Sequence, residues 1–167
     1  MNKKRTLAML LAGAMLLPAN AFAASPEDFT DFPTDWSAAG LRSAVQNGLL
    51  NGSNGEIDGN GLLTRAQLAA IVNRAFGADK AADLSGFTDV RPDAWYHNDM
   101  AVSVAMGAFQ GANGKLNPES PITREEAFAV LARAFGLDGD ASALSDYTDG
   151  GSVSPWAKSA VSALIDS

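Results

Sequence analysis

The sequence predicts an all-α fold built from tandem repeats, because one residue pair recurs and helical spacing follows it each time. Thr64-Arg65 returns as Thr123-Arg124, and the surrounding residues match with a constant shift of 59 positions. After each pair, apolar residues recur on one helical face and end in a glycine. The aligned positions are Leu68, Ile71, Val72, Ala75, Phe76 and Gly77 in the first copy and Ala127, Val130, Leu131, Ala134, Phe135 and Gly136 in the second. The chain therefore contains two copies of one helical folding unit.

Upstream of the pair, the same shift aligns the earlier parts of each copy. The matched positions are Trp36 and Trp95, Val45 and Val104, Gly48 and Gly107, Gly52 and Gly111, and the turns Asn54-Gly55 and Asn113-Gly114. Each copy thus consists of a first helix that ends at a glycine, a loop rich in glycine and asparagine, and a second helix. The loops span residues 51–61 and 111–121, and their polarity predicts a surface position.

The first helix of each copy is predicted to begin at or just before its tryptophan. The N-cap position of a helix favours a side-chain oxygen, and this position is occupied by Asp35, Asp93 and Ser154 in the three copies. Pro155 suits the first helical position of the third copy. One apolar stripe of each helix should be buried. It comprises Leu41, Val45 and Leu49 in the first copy and Met100, Val104 and Ala108 in the second.

A third copy begins near the end of the chain. Its opening, Tyr147-Thr148-Asp149, matches Phe29-Thr30-Asp31 and Phe87-Thr88-Asp89, and a tryptophan, Trp156, follows as in the other copies. In the two complete copies a Thr-Arg pair comes 28 residues after the tryptophan, and that position falls beyond Ser167. We expect the third repeat to be truncated inside its first helix.

The first 23 residues have the pattern of an export signal. A basic start, Lys3 to Arg5, precedes an apolar run from Leu7 to Leu17, and Ala21-Phe22-Ala23 fits a small-x-small cleavage site. The run is too short for a membrane span, and the chain has no cysteine for lipid attachment. We therefore expect a secreted protein with no stable membrane insertion after cleavage.

Charge and residue content exclude several classes of function. Cleavage after Ala23 would leave 144 residues with 9 Lys or Arg and 19 Asp or Glu, a net charge of −10. Nucleic-acid binders need a basic face that releases counterions from phosphates, so no nucleic-acid partner is expected. The single histidine, His97, and the lack of a nucleophile with a base at motif spacing argue against an enzyme. No cofactor is predicted.

The Thr-Arg pairs open the second helices as capping boxes. The Thr64 and Thr123 hydroxyls should accept from the N3 amides, while Gln67 and Glu126 reach back to the threonine N–H groups. The two arginines then lie in the first helical turn, where the partial positive charge of the helix end disfavours a cation. An unfavourable position indicates that the arginines have another role.

Two interpretations of the arginines and tryptophans are open. In the first, the helix-start amides, the arginine, the glycine loop and the tryptophan form a pocket for a small anionic group on a sugar. In the second, the arginines pair with acidic neighbours, and Trp36 and Trp95 are core anchors, which spacing alone favours for the tryptophans. Arg74 and Arg133 lie in the last helical turns, where a cation is favourable, and need only a structural explanation.

A calcium loop is a rival interpretation of the first copy. Positions 1, 3, 5, 6, 8 and 12 of an EF-hand-like loop would be Glu56, Asp58, Asn60, Gly61, Leu63 and Gln67. The match is imperfect, because position 1 should be Asp and position 12 a bidentate Glu. The second copy has Lys115 and Ser120 at positions 1 and 6, so no metal site is predicted.

The chain resembles a tandem of S-layer homology domains, the modules that attach bacterial surface proteins to the cell wall. The aromatic-Thr-Asp opening, tryptophan, glycine-ended helix, loop, Thr-Arg motif and Ala-Phe-Gly recur in the family's order. The motif stands as residues 63–67 and 122–126, with Gln67 in place of the usual glutamate. The resemblance implies a signal peptide (1–23), a linker (24–28), module 1 (29–77), a linker (78–86), module 2 (87–136), a linker (137–146) and a partial module 3 (147–167).

In that family, three modules form a pseudo-threefold helical bundle whose grooves bind a secondary cell-wall polysaccharide, often through a ketal-linked pyruvate. Some members are thought to bind peptidoglycan instead. The resemblance thus implies helix-loop-helix repeats packed as such a bundle, and non-covalent anchoring at the cell wall with at most two complete grooves. The implied ligand-binding residues are Arg65, Arg124, Thr64, Thr123, Trp36, Trp95, Gly52, Gly111, Asp31 and Asp89.

Overall fold

The computed structural model describes residues 24–167, and the predicted signal peptide lies outside them. This part of the chain is helical, with isolated β-bridges and no strand. Its α-helices are α1 (Ala38–Gln46), α2 (Arg65–Phe76), α3 (His97–Ala105), α4 (Arg124–Phe135) and α5 (Lys158–Ile165). Short 3-10 helices lie at Pro26–Asp28, Ala141–Asp146 and Gly150–Ser152. The predicted all-α class and the helix-loop-helix order of the repeats are confirmed.

The described residues form two compact units. The first comprises the residues up to Gly61 together with Arg74–Gly77, and the second comprises Leu62–Asn73 with Ala78–Ser167. In the first unit, α1 packs against the 3-10 helix at Pro26–Asp28 and buries Val45 completely. Val45 is thus buried as the spacing predicts, whereas Leu41 is half-buried and Leu49 is half-buried and lies beyond the end of the helix.

The core of the second unit contains residues of α2, α3 and α4 and of the segments between them. The largest of its fully buried side chains are Tyr96, Phe109, Met100 and Leu116. Each such side chain contributes about 1.5–3 kcal/mol of hydrophobic stabilisation. A smaller cluster, where α4 packs against α5, contains Leu144, Ala157 and Val161.

The first helix of each copy begins later than predicted. α1, α3 and α5 each start two residues after the tryptophan of their copy, which lies in a hydrogen-bonded turn. In the first copy this turn is closed by Ala38 N–H donating to the Asp35 carbonyl at 3.1 Å. Asp35 Oδ1 accepts from Ser37 N–H at 2.9 Å and from its hydroxyl at 2.6 Å. Asp35 therefore caps the turn before the helix, and the prediction that it caps the helix is wrong.

Both predicted capping boxes are present. Thr64 N–H donates to Gln67 Oε1 at 2.8 Å, and Gln67 N–H donates to Thr64 Oγ1 at 3.2 Å. Thr123 N–H donates to Glu126 Oε2 at 2.9 Å, and Glu126 N–H donates to Thr123 Oγ1 at 3.3 Å. Both threonine side chains are thus engaged in fixing a helix start.

The loop after each first helix contains an Asn-Gly hairpin turn. Asn113 and Gly114 have φ of 54° and 70°, and the corresponding Asn54 and Gly55 have 52° and 78°. Positive φ at both central residues is the signature of a type I′ turn, which asparagine and glycine adopt at the lowest cost. The second copy's turn is closed by two bonds between Ala112 and Lys115, at 2.9 and 3.0 Å. The two loops therefore reverse the chain in the same way.

The glycine that precedes each turn lies against an aromatic ring. A Cβ on Gly111 would overlap Cε1 of Phe87 and come within 2.7 Å of the Lys115 carbonyl oxygen. A Cβ on Gly52 would overlap the ring of Phe29 in the same way. Packing alone therefore explains why both positions are glycine.

We predict that Gly111→Ala lowers the free energy of unfolding by about 1–3 kcal/mol, because the added methyl group overpacks this contact. Gly151→Ala is the matched control, since nothing lies within 4 Å of a Cβ there. It should change stability by less than about 0.5 kcal/mol. Urea unfolding of both variants measures the difference, and equal stabilities would contradict the packing argument.

Candidate functional site

The Arg65 side chain is engaged with residues of the second copy. Its Nε donates to the Leu116 carbonyl at 2.7 Å, and its Nη1 forms an ion pair with Glu126 Oε1 at 3.3 Å. The guanidinium carbon lies 5.3 Å from the centre of the Phe109 ring, and the side chain is only 14% exposed. Arg65 therefore has the acidic partner that the second interpretation of the arginines expected.

The amides at the start of α2 are also occupied. Arg65 N–H donates to the Ser120 carbonyl at 3.0 Å, and Ala66 N–H donates to the Pro118 carbonyl at 2.8 Å. An anion cannot use these N–H groups unless the loop first moves away. The expectation of free helix-start amides is therefore wrong at Arg65, because the loop of the second copy satisfies them.

Arg124 has a different environment from Arg65. Its side chain is exposed, and its guanidinium carbon lies 5.9 Å from the centre of the Phe128 ring. Among residues 24–167 it has no ion pair or side-chain hydrogen bond. The neighbouring Glu125 instead accepts from Ser154, from N–H at 3.0 Å and from the hydroxyl at 2.8 Å.

Asp31 and Asp89 hold the loops of their copies. Asp31 accepts from the N–H groups of Ile57 and Asp58 at 2.7 and 2.8 Å. Asp89 accepts from Leu116 and Asn117 at 3.0 and 2.7 Å. The backbone bond from Ile57, with a further bond from Asp58, holds the pKa of Asp31 below its usual range. Both aspartates thus have a clear structural role.

The tryptophans of all three copies are exposed. Trp36, Trp95 and Trp156 are 93%, 63% and 56% exposed. The interpretation of Trp36 and Trp95 as core anchors is wrong, because each lies in the turn before its helix and outside the buried stripe. Each ring is therefore accessible to a partner, although single exposed apolar side chains are common on protein surfaces.

The second unit contains a pocket of about 380 Å³ that collects several of these features. Its lining includes Arg65, Phe109, Gly111, Lys115, Arg133 and Trp156. The lining contains three cations and one carboxylate, Glu126, which pairs with Arg65. The pocket is thus locally positive in a chain whose net charge is −7. It offers cations, an aromatic ring and close access to backbone.

Two of the predicted site residues, Arg65 and Gly111, come together in this pocket. Trp36 lines a separate pocket within the first unit, beside Asp35, Gly59 and Asn60. The remaining predicted site residues line neither of these two pockets: Thr64, Thr123, Arg124, Trp95, Gly52, Asp31 and Asp89.

Among the pocket residues that the sequence did not predict, three carry a charge or an aromatic ring that a glycan could contact: Trp156, Arg133 and Lys115. Trp156 was recognised as a repeated tryptophan and not as a site residue, although its repeat position gave a usable signal. Arg133 received only a structural explanation, and its Nη1 does lie 3.5 Å from the Ala108 carbonyl. Lys115 had no signal of its own, because the corresponding residue of the first copy is Glu56.

The EF-hand-like loop shows no arrangement of ligands for calcium. Its last position, Gln67, uses Oε1 to accept from Thr64 N–H. Between residues 24 and 167, no three His, Cys, Asp or Glu side chains lie together in a way that would hold a metal ion. The described segment also has no helix with the length and hydropathy of a membrane span.

Comparison with protein families identifies the repeats. The model of the S-layer homology domain matches residues 28–69 and 86–128, which together make up half of the chain. The chain belongs to the S-layer homology domain family. The two matched segments fall on the two complete repeats of the sequence. Modules of this family bind components of the bacterial cell wall and anchor proteins at the cell surface.

The chain is also similar to named bacterial surface proteins. It is 34% identical to the surface-layer 125 kDa protein of Lysinibacillus sphaericus over 154 residues, which cover 91% of this chain and 13% of that protein. It is 33% identical to a cell surface protein of Thermoanaerobacter kivui, over 81% of this chain and 19% of that protein. The amylopullulanase of Thermoanaerobacterium thermosulfurigenes is 24% identical over 80% of this chain and 7% of the enzyme. The chain thus spans less than a fifth of each of these relatives.

The predicted localisation at the bacterial cell surface is confirmed by the family and by the surface-layer relatives. The match covers only 7% of the amylopullulanase, so the name of that enzyme carries no activity over to this chain. S-layer homology modules occur in proteins that differ in the rest of their sequence.

We predict that Arg65→Ala destabilises the protein by about 1.5–3 kcal/mol. The substitution removes the guanidinium that donates to the Leu116 carbonyl, and it leaves the Glu126 carboxylate without its ion-pair partner. Arg124→Ala is the matched control at the corresponding repeat position, and it should cost less than about 0.5 kcal/mol. Urea unfolding monitored by circular dichroism compares the two variants. Equal losses would show that the Arg65 contacts contribute no stability.

We predict that Asp31 makes the protein more stable at neutral than at acid pH. The folded-state pKa is depressed, so between this pKa and the unfolded value the unfolded chain binds more protons. Asp31 therefore contributes its full stabilisation above its unfolded-state pKa, and it loses this contribution as the pH falls through its folded-state pKa. In urea unfolding as a function of pH, Asp31→Ala should be less stable than wild type at pH 7, and this difference should shrink on acidification. A difference that is independent of pH would contradict this.

Proposed function

We propose that this chain is a non-catalytic module that anchors an exported protein to the bacterial cell wall by binding an anionic secondary polysaccharide. The observation that carries the proposal is the pocket of the second unit, in which cations gather beside an exposed tryptophan. In a chain with net charge −7, the lining of this pocket has three cations and one carboxylate, and this local excess of positive charge suits an anionic ligand. Anchoring at the cell surface follows from the family, and the charges and the aromatic ring of the pocket support the choice of ligand.

The chemistry of the pocket suits a sugar that carries a carboxylate. Cationic side chains bind carboxylates through charge-assisted hydrogen bonds, which are stronger than those between neutral groups. The Trp156 ring offers an apolar plate for the face of a sugar ring. Gly111 lets the backbone approach a ligand closely, since it carries no side chain. A pyruvate ketal on an amino sugar combines these requirements.

The other residues implied by the family have supporting roles in this proposal. Within the second unit, the exposed Trp95 and Arg124 are available for further contact with the polymer, and the exposed Trp36 offers a separate apolar contact within the first unit. Thr64, Thr123, Asp31 and Asp89 act indirectly, through the helix starts and loops that they fix. Repeated weak contacts with a long polymer raise the overall affinity.

We predict that residues 24–167 pellet with wall sacculi of Lysinibacillus sphaericus and that hydrofluoric acid treatment of the sacculi, which strips secondary polymers, abolishes this. The reason is that the treatment removes the anionic ligand and leaves peptidoglycan intact. Co-sedimentation at several protein concentrations gives the apparent affinity for both preparations. Trp156→Ala should weaken binding to intact sacculi about tenfold, because it removes the aromatic plate.

Two outcomes would contradict the proposal. Equal pelleting with intact and stripped sacculi would favour peptidoglycan as the ligand. No pelleting with either preparation would reject wall binding by this segment. Added N-acetylglucosamine oligomers serve as a neutral competitor, and they should leave binding to intact sacculi unchanged.

A further inference from the structure

We propose that Asn51 is a site of spontaneous deamidation, and that the isoaspartate product loosens the loop of the first copy. Asparagine followed by glycine is the most reactive context for this chemistry, because glycine has no side chain to hinder attack by its own backbone nitrogen. Five such pairs occur in the chain, at residues 47–48, 51–52, 54–55, 60–61 and 113–114. The structure distinguishes among them, and this inference does not depend on the proposed function.

The reaction needs no enzyme and no partner except water. A base in the solvent takes the proton of the Gly52 N–H, and the nitrogen forms a bond to Cγ of Asn51. The Cγ–Nδ2 bond breaks, and the amide group takes up a proton and leaves as ammonia. Water then opens the five-membered succinimide at one of its two carbonyls. One product is aspartate, and the other is isoaspartate, whose main chain runs through the side chain.

This chemistry sets two conditions on the structure, and two of the pairs fail the first. The glycine N–H must be free of an acceptor, but the N–H groups of Gly48 and Gly61 donate to backbone carbonyls at 2.9 and 3.0 Å. The Asn47 side chain is held as well, since its Nδ2 donates to the Ser43 carbonyl at 2.8 Å. These bonds must break before the attack, which slows the reaction about tenfold.

Two further pairs fail the second condition, which is that the backbone lets Cγ reach the glycine nitrogen. Asn54 and Asn113 are the first central residues of the type I′ turns, with φ of 52° and 54°. In this left-handed conformation the nitrogen of the next residue lies on the far side of the Cα–C bond from Cβ. Cγ cannot reach it until the backbone rotates out of the turn. The turn that this dipeptide favours therefore protects it.

The pair at Asn51 meets both conditions. Asn51 is exposed, its φ is not positive, and its side chain has no hydrogen bond to any residue from 24 to 167. Across the same residues, nothing accepts from the Gly52 N–H. Asn51 also belongs to no helix or β-bridge, since it lies between the end of α1 and the hairpin turn. Of the five pairs, this one is therefore open to attack in the folded chain.

The packing of Gly52 gives the product a structural effect. A Cβ on Gly52 would overlap the Phe29 ring and come within 2.5 Å of the Glu56 carbonyl oxygen, so the backbone is closely packed here. Isoaspartate at position 51 adds one carbon to the main chain directly before this glycine. The glycine then loses its fit against the ring, as in an overpacked core. Aspartate keeps the normal main chain and adds only an exposed charge.

Peptide mapping tests the choice among the pairs. Trypsin cleaves after Arg42 and Arg65, so one peptide carries all four pairs of the first copy. Electron-transfer fragmentation then assigns aspartate and isoaspartate to each position. When the purified folded chain is incubated in mildly alkaline buffer, Asn51 should convert about tenfold faster than the other four asparagines. In concentrated urea all five should convert at similar rates, because each precedes a glycine. Equal rates in the folded chain, or no conversion of Asn51 there, would overturn the inference.

The second copy provides a matched control. Gln110 corresponds to Asn51 and precedes Gly111, which packs against an aromatic ring as Gly52 does. Glutamine reacts far more slowly, because its cyclisation closes a six-membered ring. Asn51→Gln should therefore stop conversion at this site and leave the urea midpoint unchanged. Gln110→Asn should create a reactive pair, since the Gly111 N–H has no acceptor among the residues that the structure describes. An unreactive Gln110→Asn variant would overturn the inference.

Urea unfolding of aged protein tests the effect on the loop. Once isoaspartate predominates at position 51, the folded-to-unfolded ratio of the wild type should be about tenfold lower than in fresh protein. Asn51→Asp, which has the charge and a normal main chain, should unfold at the midpoint of fresh wild type. Aged Asn51→Gln should keep its midpoint. An unchanged midpoint of aged wild type would overturn the loosening of the loop, and an equal loss in aged Asn51→Gln would place the damage elsewhere and overturn it too.

Discussion

The arrangement of the second unit depends on how the start of α2 is satisfied. An α-helix begins with backbone N–H groups that have no partner within the helix. Here the loop of the following copy supplies the acceptors, since Arg65 and Ala66 donate to the carbonyls of Ser120 and Pro118. Ile122 N–H returns a bond to the Leu63 carbonyl at 2.9 Å. One copy is therefore completed by the next, and the pocket lies where they meet.

This junction also explains the cation at an unfavourable helix position. The dipole of α2 disfavours a guanidinium in the first turn, but the Leu116 carbonyl and the Glu126 carboxylate offset that cost. The position of Arg65 is therefore informative about assembly between copies as much as about a ligand. Arg124 has no such acceptors within the described chain and keeps its side chain in solvent.

Features set by nearby residues could be predicted from the sequence. The capping boxes, the Asn-Gly turns and the glycine after α4 follow from contacts a few residues apart, and the family followed from their order. The partners of Arg65 could not be predicted, because Leu116 and Glu126 are 51 and 61 residues away. The exposure of the tryptophans was missed because the helices begin two residues later than the N-cap pattern indicates. The pseudo-threefold packing and the individual ligand contacts stay predictions.

The type I′ turn at Ala112–Lys115 has a consequence for how such repeats diverge. Its conformation is set by the asparagine and glycine at its centre and by Asp89, and the side chain after the glycine takes no part. That residue is therefore open to substitution without loss of stability. A lysine codon and a glutamate codon differ in a single base, so a duplicated repeat can reverse the charge beside this turn in one mutational step. The surface charge of one copy can thus diverge from that of the other while the turn itself is inherited unchanged.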